Sequence, residues 1–379
     1  MRGKAWPMPG AEREQIALFI PSLRGGGAER VMVNLAGGLA ERGCQVDLVA
    51  ARAIGPLVGQ VPAGVRLVDL GCRRTLRALL PLASYLRRER PAALLSALGH
   101  ANVVAIGARL LARVPTRVVV SEHTAVSRAG QEAPGVRGKV LVPWLMRRLY
   151  RRAQAVVAVS RGVAEDLAEA TGLPAERIRV IYNPVVTPDL EQRAAEPVDH
   201  PWFAPGEPPV VLAVGRLAPE KDYATLLRAF ALVRRQQAAR LVILGEGPER
   251  PPLEALAREL GFEDCFSLPG FKENPFAYMA RASVLVLCSR REGFGNVLAE
   301  ALACGTPVVS TDCPHGPAEI LEGGKHGRLV PEGEARGLAE AIIGTLAIAP
   351  DRTALRRRSQ AFTVANSVRD YLEVLWDER

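Results

Sequence analysis

Two glutamates on either side of a glycine-bracketed turn are the most chemically pointed feature of the sequence. They stand in Ser289-Arg290-Arg291-Glu292-Gly293-Phe294-Gly295-Asn296-Val297-Leu298-Ala299-Glu300-Ala301. Gly293 and Gly295 leave the backbone bare where an apolar run ends and a helical pattern begins. The N–H groups from Gly295 through Asn296, Val297 and Leu298 are therefore placed to receive an anion such as a diphosphate. A carboxylate on each side can serve different parts of a nucleotide-linked sugar. One accepts hydrogen bonds from vicinal ribose hydroxyls, as the acidic residue of dinucleotide sites does, and the other faces the sugar. The plainer alternative makes one Glu a helix-start carboxylate favoured by the dipole and leaves the other solvated.

Two further clusters suit the same ligand. Gly215-Arg216-Leu217, followed by Lys221-Asp222, puts two cations in one short loop after an apolar run. Arg binds a diphosphate in bidentate fashion and Lys acts as a point charge, although a solvated surface pair would look the same. Near the start, Gly25-Gly26-Gly27-Ala28-Glu29-Arg30 also joins an apolar run to a helical pattern. Its glycines allow close backbone approach to a phosphate or substrate, or simply a tight turn. It is neither G-x-G-x-x-G nor a Walker A loop.

Short apolar runs alternating with amphipathic segments must position these residues. Strands are expected at 16–22, 45–51, 65–70, 92–98, 117–121 and 155–159, with helices near 28–42, 74–89, 101–112 and 138–152. A second series has strands at 210–214, 240–244, 283–288 and 307–310, and helices at 222–236, 251–260, 296–303 and 334–346. Strands buried on both faces read as continuous apolar runs, so the pattern implies α/β architecture with parallel sheets. Residues 186–208, rich in Pro and acidic side chains, are the expected linker. The expected domains are 1–190 and 191–379, each doubly wound and Rossmann-like, with the last helix able to pack back on the first. Two such domains facing one another would surround a central cleft with the carboxyl ends of their strands.

Composition narrows the classes. Apolar residues make up 48% of 379, enough to bury two cores. Residues 1–190 hold 27 Lys and Arg against 14 Asp and Glu, whereas the remainder holds 22 against 26. A basic first half suggests an anionic partner, nucleic acid or a membrane surface. Aromatics are only 5% of the chain and the best ligand motif lies in the acidic half, which argues against nucleic acid. The six cysteines form no C-x-x-C pair and are expected as buried reduced thiols, which suits the cytosol. No apolar stretch reaches the length of a membrane span, and the first ten residues lack a signal-peptide core.

Taken in order and spacing, these pieces resemble a retaining glycosyltransferase of the large family 4, with the GT-B fold. The match runs from Gly25 to about Leu321: GGGAERV, the Tyr182-Asn183-Pro184-Val185 hinge, GRL with KD, GEGPER at 245–250, Glu292 with Glu300, and Gly305-Thr306-Pro307-Val308-Val309. The resemblance implies that Arg216 and Lys221 hold the donor diphosphate and stabilise the leaving nucleotide. It implies that Glu300 binds the ribose diol and that Glu292 contacts the transferred sugar near its reacting end. Gly26 and Gly27 would close over the phosphates. His123, in Ser121-Glu122-His123-Thr124, would contact the sugar, and Glu246 would border the base. The catalytic set is then Glu292, His123, Arg216 and Lys221. No D-x-D triplet occurs, so transfer needing no metal or other cofactor is expected, the cations and helix dipole standing in for the ion.

The family also implies an acceptor held by the N-terminal domain. Thr311-Asp312-Cys313-Pro314-His315-Gly316-Pro317-Ala318-Glu319 resembles bacterial transferases of hexose or N-acetylhexosamine to lipid-linked glycans, with Glu319 near a sugar hydroxyl. A nucleotide-sugar donor, UDP favoured, and a lipid-linked saccharide or lipopolysaccharide precursor are the expected substrates. Apolar and cationic residues mix at 73–88 and 136–152, including Trp144, Arg137 and Lys139, as in helices on anionic lipid, although domain helices with a solvated basic face would read the same. A cytoplasmic protein held peripherally at the inner face of the membrane is the corresponding expectation. A nucleotide-sugar 2-epimerase of the same fold is the alternative.

Overall fold

The computed structural model describes residues 14–127 and 136–376, with side chains from residue 142 in the second stretch. Arg137 and Lys139 lie outside the described side chains. The chain forms two compact units. One takes residues up to Pro184 together with Val364 onward, and the other takes Val185–Thr363.

In the first unit the strands are β1 (Gln15–Ile20), β2 (Gln45–Ala50), β3 (Val65–Asp69), β4 (Ala93–Ala97), β5 (Arg117–Glu122), β6 (Ala155–Ala158) and β7 (Ile178–Val180). The helices are α1 (Gly27–Glu41), α2 (Leu79–Glu89), α3 (Gly99–Ala112), α4 (Val136–Leu149) and α5 (Arg161–Thr171). The sheet is parallel in the order β3-β2-β1-β4-β5-β6-β7. The reversal of strand order at β1 and β4 is where a doubly wound sheet opens a crevice at its carboxyl edge. All five residues of β4 are buried, as strands covered on both faces must be.

In the second unit the strands are β8 (Val210–Val214), β9 (Arg240–Leu244), β10 (Phe266–Ser267), β11 (Val284–Leu287), β12 (Val308–Thr311) and β13 (Arg328–Val330). Their order, β10-β9-β8-β11-β12-β13, is again parallel and again reverses beside the first strand. The helices are α6 (Leu190–Ala195), α7 (Tyr223–Gln236), α8 (Arg250–Glu259), α9 (Pro275–Arg281), α10 (Asn296–Cys304), α11 (Pro317–Ile320), α12 (Ala335–Leu346) and α13 (Arg352–Ser359). The segment expected as a linker is instead part of this unit. Leu190 is buried, the Arg193 guanidinium lies 4.6 Å from the Phe276 ring, and Asn274 donates to the Arg193 carbonyl at 2.8 Å. Its polar composition reflects a surface segment tied down by side chains rather than a free tether.

The last helix, α14 (Val364–Trp376), belongs to the first unit. Val368, Tyr371 and Leu375 join Met32, Leu35 and Leu39 of α1 over Ile16, Leu18 and Ile20 of β1 in one core. Gly38 makes this crossing close: a Cβ there would stand 2.5 Å from Val364 Cγ1 and 2.7 Å from Val368 Cγ2. Near the other end of the sheet, the fully buried Asp47 accepts from Gln15 at 2.8 Å, Arg66 Nε at 2.8 Å and the Tyr85 hydroxyl at 2.5 Å. One carboxylate thus joins β1, β2, β3 and α2, and its donors satisfy a charge that would otherwise be costly to bury.

The glycine contact has a measurable cost of replacement. Gly38→Val should lower the unfolding free energy of the first unit by about 1–3 kcal/mol through overpacking. Adding Val364→Ala should restore part of the loss, which a double-mutant cycle in urea would read.

Candidate active site

The second unit gathers its ligand-type residues in loops that leave neighbouring strands at their carboxyl ends. After β8, residues Gly215 to Ala218 lead into a 3-10 turn, Pro219–Lys221, and then Asp222, whose φ of 49° is left-handed. After β11, residues 288–295 lead into α10. Because β8 and β11 pair directly, the two loops meet. The Arg290 N–H donates to the Glu220 carbonyl at 3.0 Å, and the Cys288 thiol to the Lys221 carbonyl at 3.0 Å. Arg290 also binds the buried Asp222 through Nε and a terminal nitrogen, at 3.1 and 3.3 Å.

This backbone scaffold sets Lys221 against Glu292 at 2.5 Å. Ser289 Oγ donates to the same carboxylate oxygen at 2.7 Å, and the Ser289 carbonyl accepts from Thr311 at 2.5 Å. Burial alone would pull the Lys221 ammonium down. Glu292, by charge and hydrogen bond, and Glu220 outweigh it and hold Lys221 above its ordinary value, so it is a cation at neutral pH. Arg216 is largely exposed and pairs with Glu220 four residues on. The two expected cations therefore share one loop but have different acidic partners.

Gly295, with φ 94°, is the N-cap of α10 and brings no side chain to cap it. Gly293 and Phe294 precede it, and Asn296, Val297 and Leu298 form the first turn. N–H groups at a helix start project along its axis beyond the first residue, but the Leu298 N–H expected to receive an anion already donates to the Gly295 carbonyl at 2.9 Å. Glu300 is buried in the next turn of α10. Gly316 presses on this loop from β12: a Cβ at Gly316, where φ is 112°, would lie 2.1 Å from the Phe294 carbonyl. The Gly316-Pro317 turn and α11 thus border the glycine-bracketed loop before α10, and Glu319 lies on α11.

The glycines of GEGPER have a structural explanation. A Cβ at Gly245 would lie 1.9 Å from the Gly215 carbonyl oxygen, and one at Gly247 would lie 2.1 Å from that of Leu217. The loop after β9 is laid backbone to backbone on the Gly-Arg-Leu segment, with the Leu217 N–H donating to the Glu246 carbonyl at 2.9 Å. The Glu246 side chain is half-exposed and bound by one terminal nitrogen and Nε of Arg250, at 2.8 and 3.1 Å.

The remaining expected residues lie in the first unit. Gly26 is the N-cap of α1 and Gly27 its first residue, directly beyond β1. The Gly26 N–H is already taken by Glu29 Oε2 at 2.9 Å, while Ser22 Oγ donates to Glu29 Oε1 at 2.5 Å. A carboxylate thus caps this glycine turn, a role the sequence reading did not assign to Glu29. His123 follows β5 and is buried, with its Nε2 3.2 Å from Ser121 Oγ, which is 3.1 Å from the Tyr371 hydroxyl of α14. Burial pushes its pKa down to about 4, so the ring is neutral at pH 7, and Nδ1 has no hydrogen-bond partner among the described residues. Asp222, Ser289 and Arg290 stand inside the second-unit motifs, but sequence reading gave them no role. The pattern Lys-Asp before a helix was a signal for the first, whereas the Arg290–Asp222 pairing depends on strand order that local sequence does not reveal.

Residues 25–188 match the Glycosyltransferase Family 4 model and residues 208–347 the Glycosyl transferases group 1 model. The chain is 30% identical over 364 residues to the lipopolysaccharide core biosynthesis glycosyltransferase LpsE of Rhizobium meliloti, covering 92% of this chain and 96% of that one. It is 31% identical over 282 residues, 73% of this chain and 74% of the relative, to the N-acetylgalactosamine-N,N'-diacetylbacillosaminyl-diphospho-undecaprenol 4-alpha-N-acetylgalactosaminyltransferase of Campylobacter jejuni. Among solved structures it is similar to Anabaena HepE in complex with UDP and glucose, with a TM-score of 0.76 and 25% identity, covering 96% of this chain and 100% of that one. The two parallel-sheet units, the loops that join Lys221 to Glu292 at the start of α10, and these matches together place the chain among the family 4 glycosyltransferases of GT-B fold.

Proposed function

We propose that the protein is a retaining, metal-independent transferase. It moves a hexose or N-acetylhexosamine from a UDP-sugar to a lipid-linked saccharide or a lipopolysaccharide precursor. The observation that carries the reading is the Lys221–Glu292 pair, set beside the Gly293–Gly295 turn at the start of α10. Bond cleavage moves negative charge onto the departing diphosphate. Lys221, Arg216 and the first-turn amides of α10 are fixed positive groups suited to that charge, and fixed groups need no reorganisation as it develops. Glu292, bound to Lys221, stands where the diphosphate ends and the sugar begins. Glu300 takes the ribose diol, and neutral His123 hydrogen-bonds a sugar hydroxyl. The same positive groups take the place of a divalent ion, and the chain has no D-x-D triplet to hold one. Retention is read from family membership. A uridine donor is supported by Anabaena HepE, solved with UDP and glucose. The acceptor class is supported by the relatives that build lipopolysaccharide core and an undecaprenyl-diphosphate-linked glycan.

An anionic membrane surface fits the first unit. Leu80 and Trp144 are 68% and 52% exposed, on α2 and α4, and the Arg148 guanidinium lies 5.6 Å over the Trp144 ring. Exposed apolar side chains among arginines suit the headgroup boundary, where both kinds of contact are met. Among the described residues, no helix is long and apolar enough to cross a membrane.

A screen of UDP- and GDP-sugars, following nucleotide release with and without membrane lipid extract, tests the assignment. Acceptor-dependent release should appear with one UDP-sugar. Release into a free epimerised sugar without acceptor would contradict it. Lys221→Ala and Glu292→Gln should each lower kcat/KM about 10²–10³-fold while the melting temperature stays close to that of the wild type. For the membrane, co-sedimentation should be seen with vesicles containing phosphatidylglycerol and not with pure phosphatidylcholine, and should weaken as salt rises. Leu80→Glu with Trp144→Glu should lower vesicle binding at least about tenfold.

A further inference from the structure

A buried polar cluster beside His123 in the first unit contains groups that the function just described leaves unused. Glu122 is the last residue of β5 and the neighbour of His123, and it is 2% exposed. Its Oε1 accepts from the Tyr150 hydroxyl and from Asn102 Nδ2, the latter at 2.8 Å. Asn102, on α3, also donates to the Ser121 carbonyl at 3.0 Å and lies 3.0 Å from the Tyr150 hydroxyl. Ser121 in turn holds His123 Nε2 and the Tyr371 hydroxyl. One carboxylate therefore anchors β5, α3 and the turn after α4, and through Asn102 and Ser121 it reaches the imidazole.

This arrangement exceeds what packing requires. Asn102 and Tyr150 would satisfy a neutral acceptor, whereas a carboxylate here must be desolvated. Among the described residues, few groups bear on it. Asn102 and Tyr150 favour the ionised form, and Asp166 of α5 disfavours it. His123 beside it and His100 at the first turn of α3 are both held down by burial and bring no cation. Met146 of α4 closes over Gly99 next to the carboxylate. Burial pushes Glu122 up to about 7, with Tyr150 and Asn102 opposing the rise.

We propose that Glu122 is a positioning residue for His123: as a carboxylate it holds Tyr150 and Asn102, Asn102 holds the end of β5, and proton uptake loosens that hold and lowers transfer. A hydrogen bond to a carboxylate is about twice as strong as one to a neutral acceptor, which gives the proton its leverage. The proposal rests on His123 facing the transferred sugar.

The pH dependence has a definite sign. Between the ordinary carboxylate value and about 7, folded Glu122 keeps a proton that the unfolded chain has lost. Its contribution to stability therefore falls as pH rises through that window and is level above it. Glu122→Gln keeps the shape and removes the titration. Its urea midpoint should rise relative to the wild type between about pH 5 and about pH 7, then stay constant. In transfer assays the wild type should lose at least about fivefold in kcat/KM from pH 8 to pH 6. Glu122→Gln should be fixed near the lower level at both pH values. Tyr150→Phe, which removes a bond favouring the ionised form, should move the inflection to higher pH.

A Gln variant with the wild-type profile, or a Tyr150→Phe inflection shifted to lower pH, would overturn the proposal. A urea midpoint difference independent of pH would overturn it as well, and that measurement needs no substrate. Absence of transfer with every donor would count against the functional reading, leaving the midpoint series to judge the titration of Glu122. Transfer with an unaltered profile would sink the positioning role alone.

Discussion

The second unit depends on backbone lying directly against backbone at the carboxyl edge of its sheet. The carbonyls of Gly215, Leu217 and Phe294 each meet a glycine so closely that any Cβ would collide. These contacts leave no room for side chains and little for movement. They tie the loop after β9 to that after β8 and the loop after β12 to that after β11, while the Arg290–Glu220 and Cys288–Lys221 hydrogen bonds join the two pairs, and Lys221 and Glu292 take their separation from this platform. Glycine is chosen at these positions for the space it leaves, at Gly316 also for a left-handed φ, and at Gly295 for the φ alone.

Charge is distributed on that platform with a second kind of economy. Three cations there have acidic neighbours: Lys221 has Glu292, Arg216 has Glu220 and Arg290 has Asp222. Asp222 and Arg290 bridge the two loops, whereas Arg216 stays on the surface with a partner four residues away. An exposed pair of that kind contributes little to stability. Arg216 is therefore the cation freest in energy to exchange partners, and Lys221 the one held in place. The first unit is arranged differently. Its glycine turn is capped by Glu29, and its polar cluster around Ser121 and His123 is enclosed by apolar side chains and α14.

Most of this was legible because parallel strands covered on both faces leave a strong trace. Runs such as VVLAV at β8 and VLVL at β11 are nearly continuous apolar stretches, and their positions were read within a residue or two. The glycine turns that follow them located the ligand-type loops. Short edge strands were not seen. β7, β10 and β13 have two or three residues, too few for a period, and take their strand character from the neighbour they pair with. Residues 186–208 were misjudged because composition alone cannot distinguish a tether from a polar segment pinned by Arg193 and Asn274. The roles of Asp222, Arg290 and Glu122 were hidden for a related reason: each acts through a partner at least 20 residues away in the chain, a relation that only the sheet order creates.

Because α14 completes the first unit, the two units cannot finish folding in the order in which they are translated. Everything from Val185 to Thr363 leaves the ribosome before the helix that covers α1. During that interval Val31–Leu39 and the face of β1 beneath it lack their final cover, an aggregation hazard for a nascent chain. The second unit, continuous in sequence, is free to fold first, and the closing step of biosynthesis is the return of 364–376 to a partner made some three hundred residues earlier.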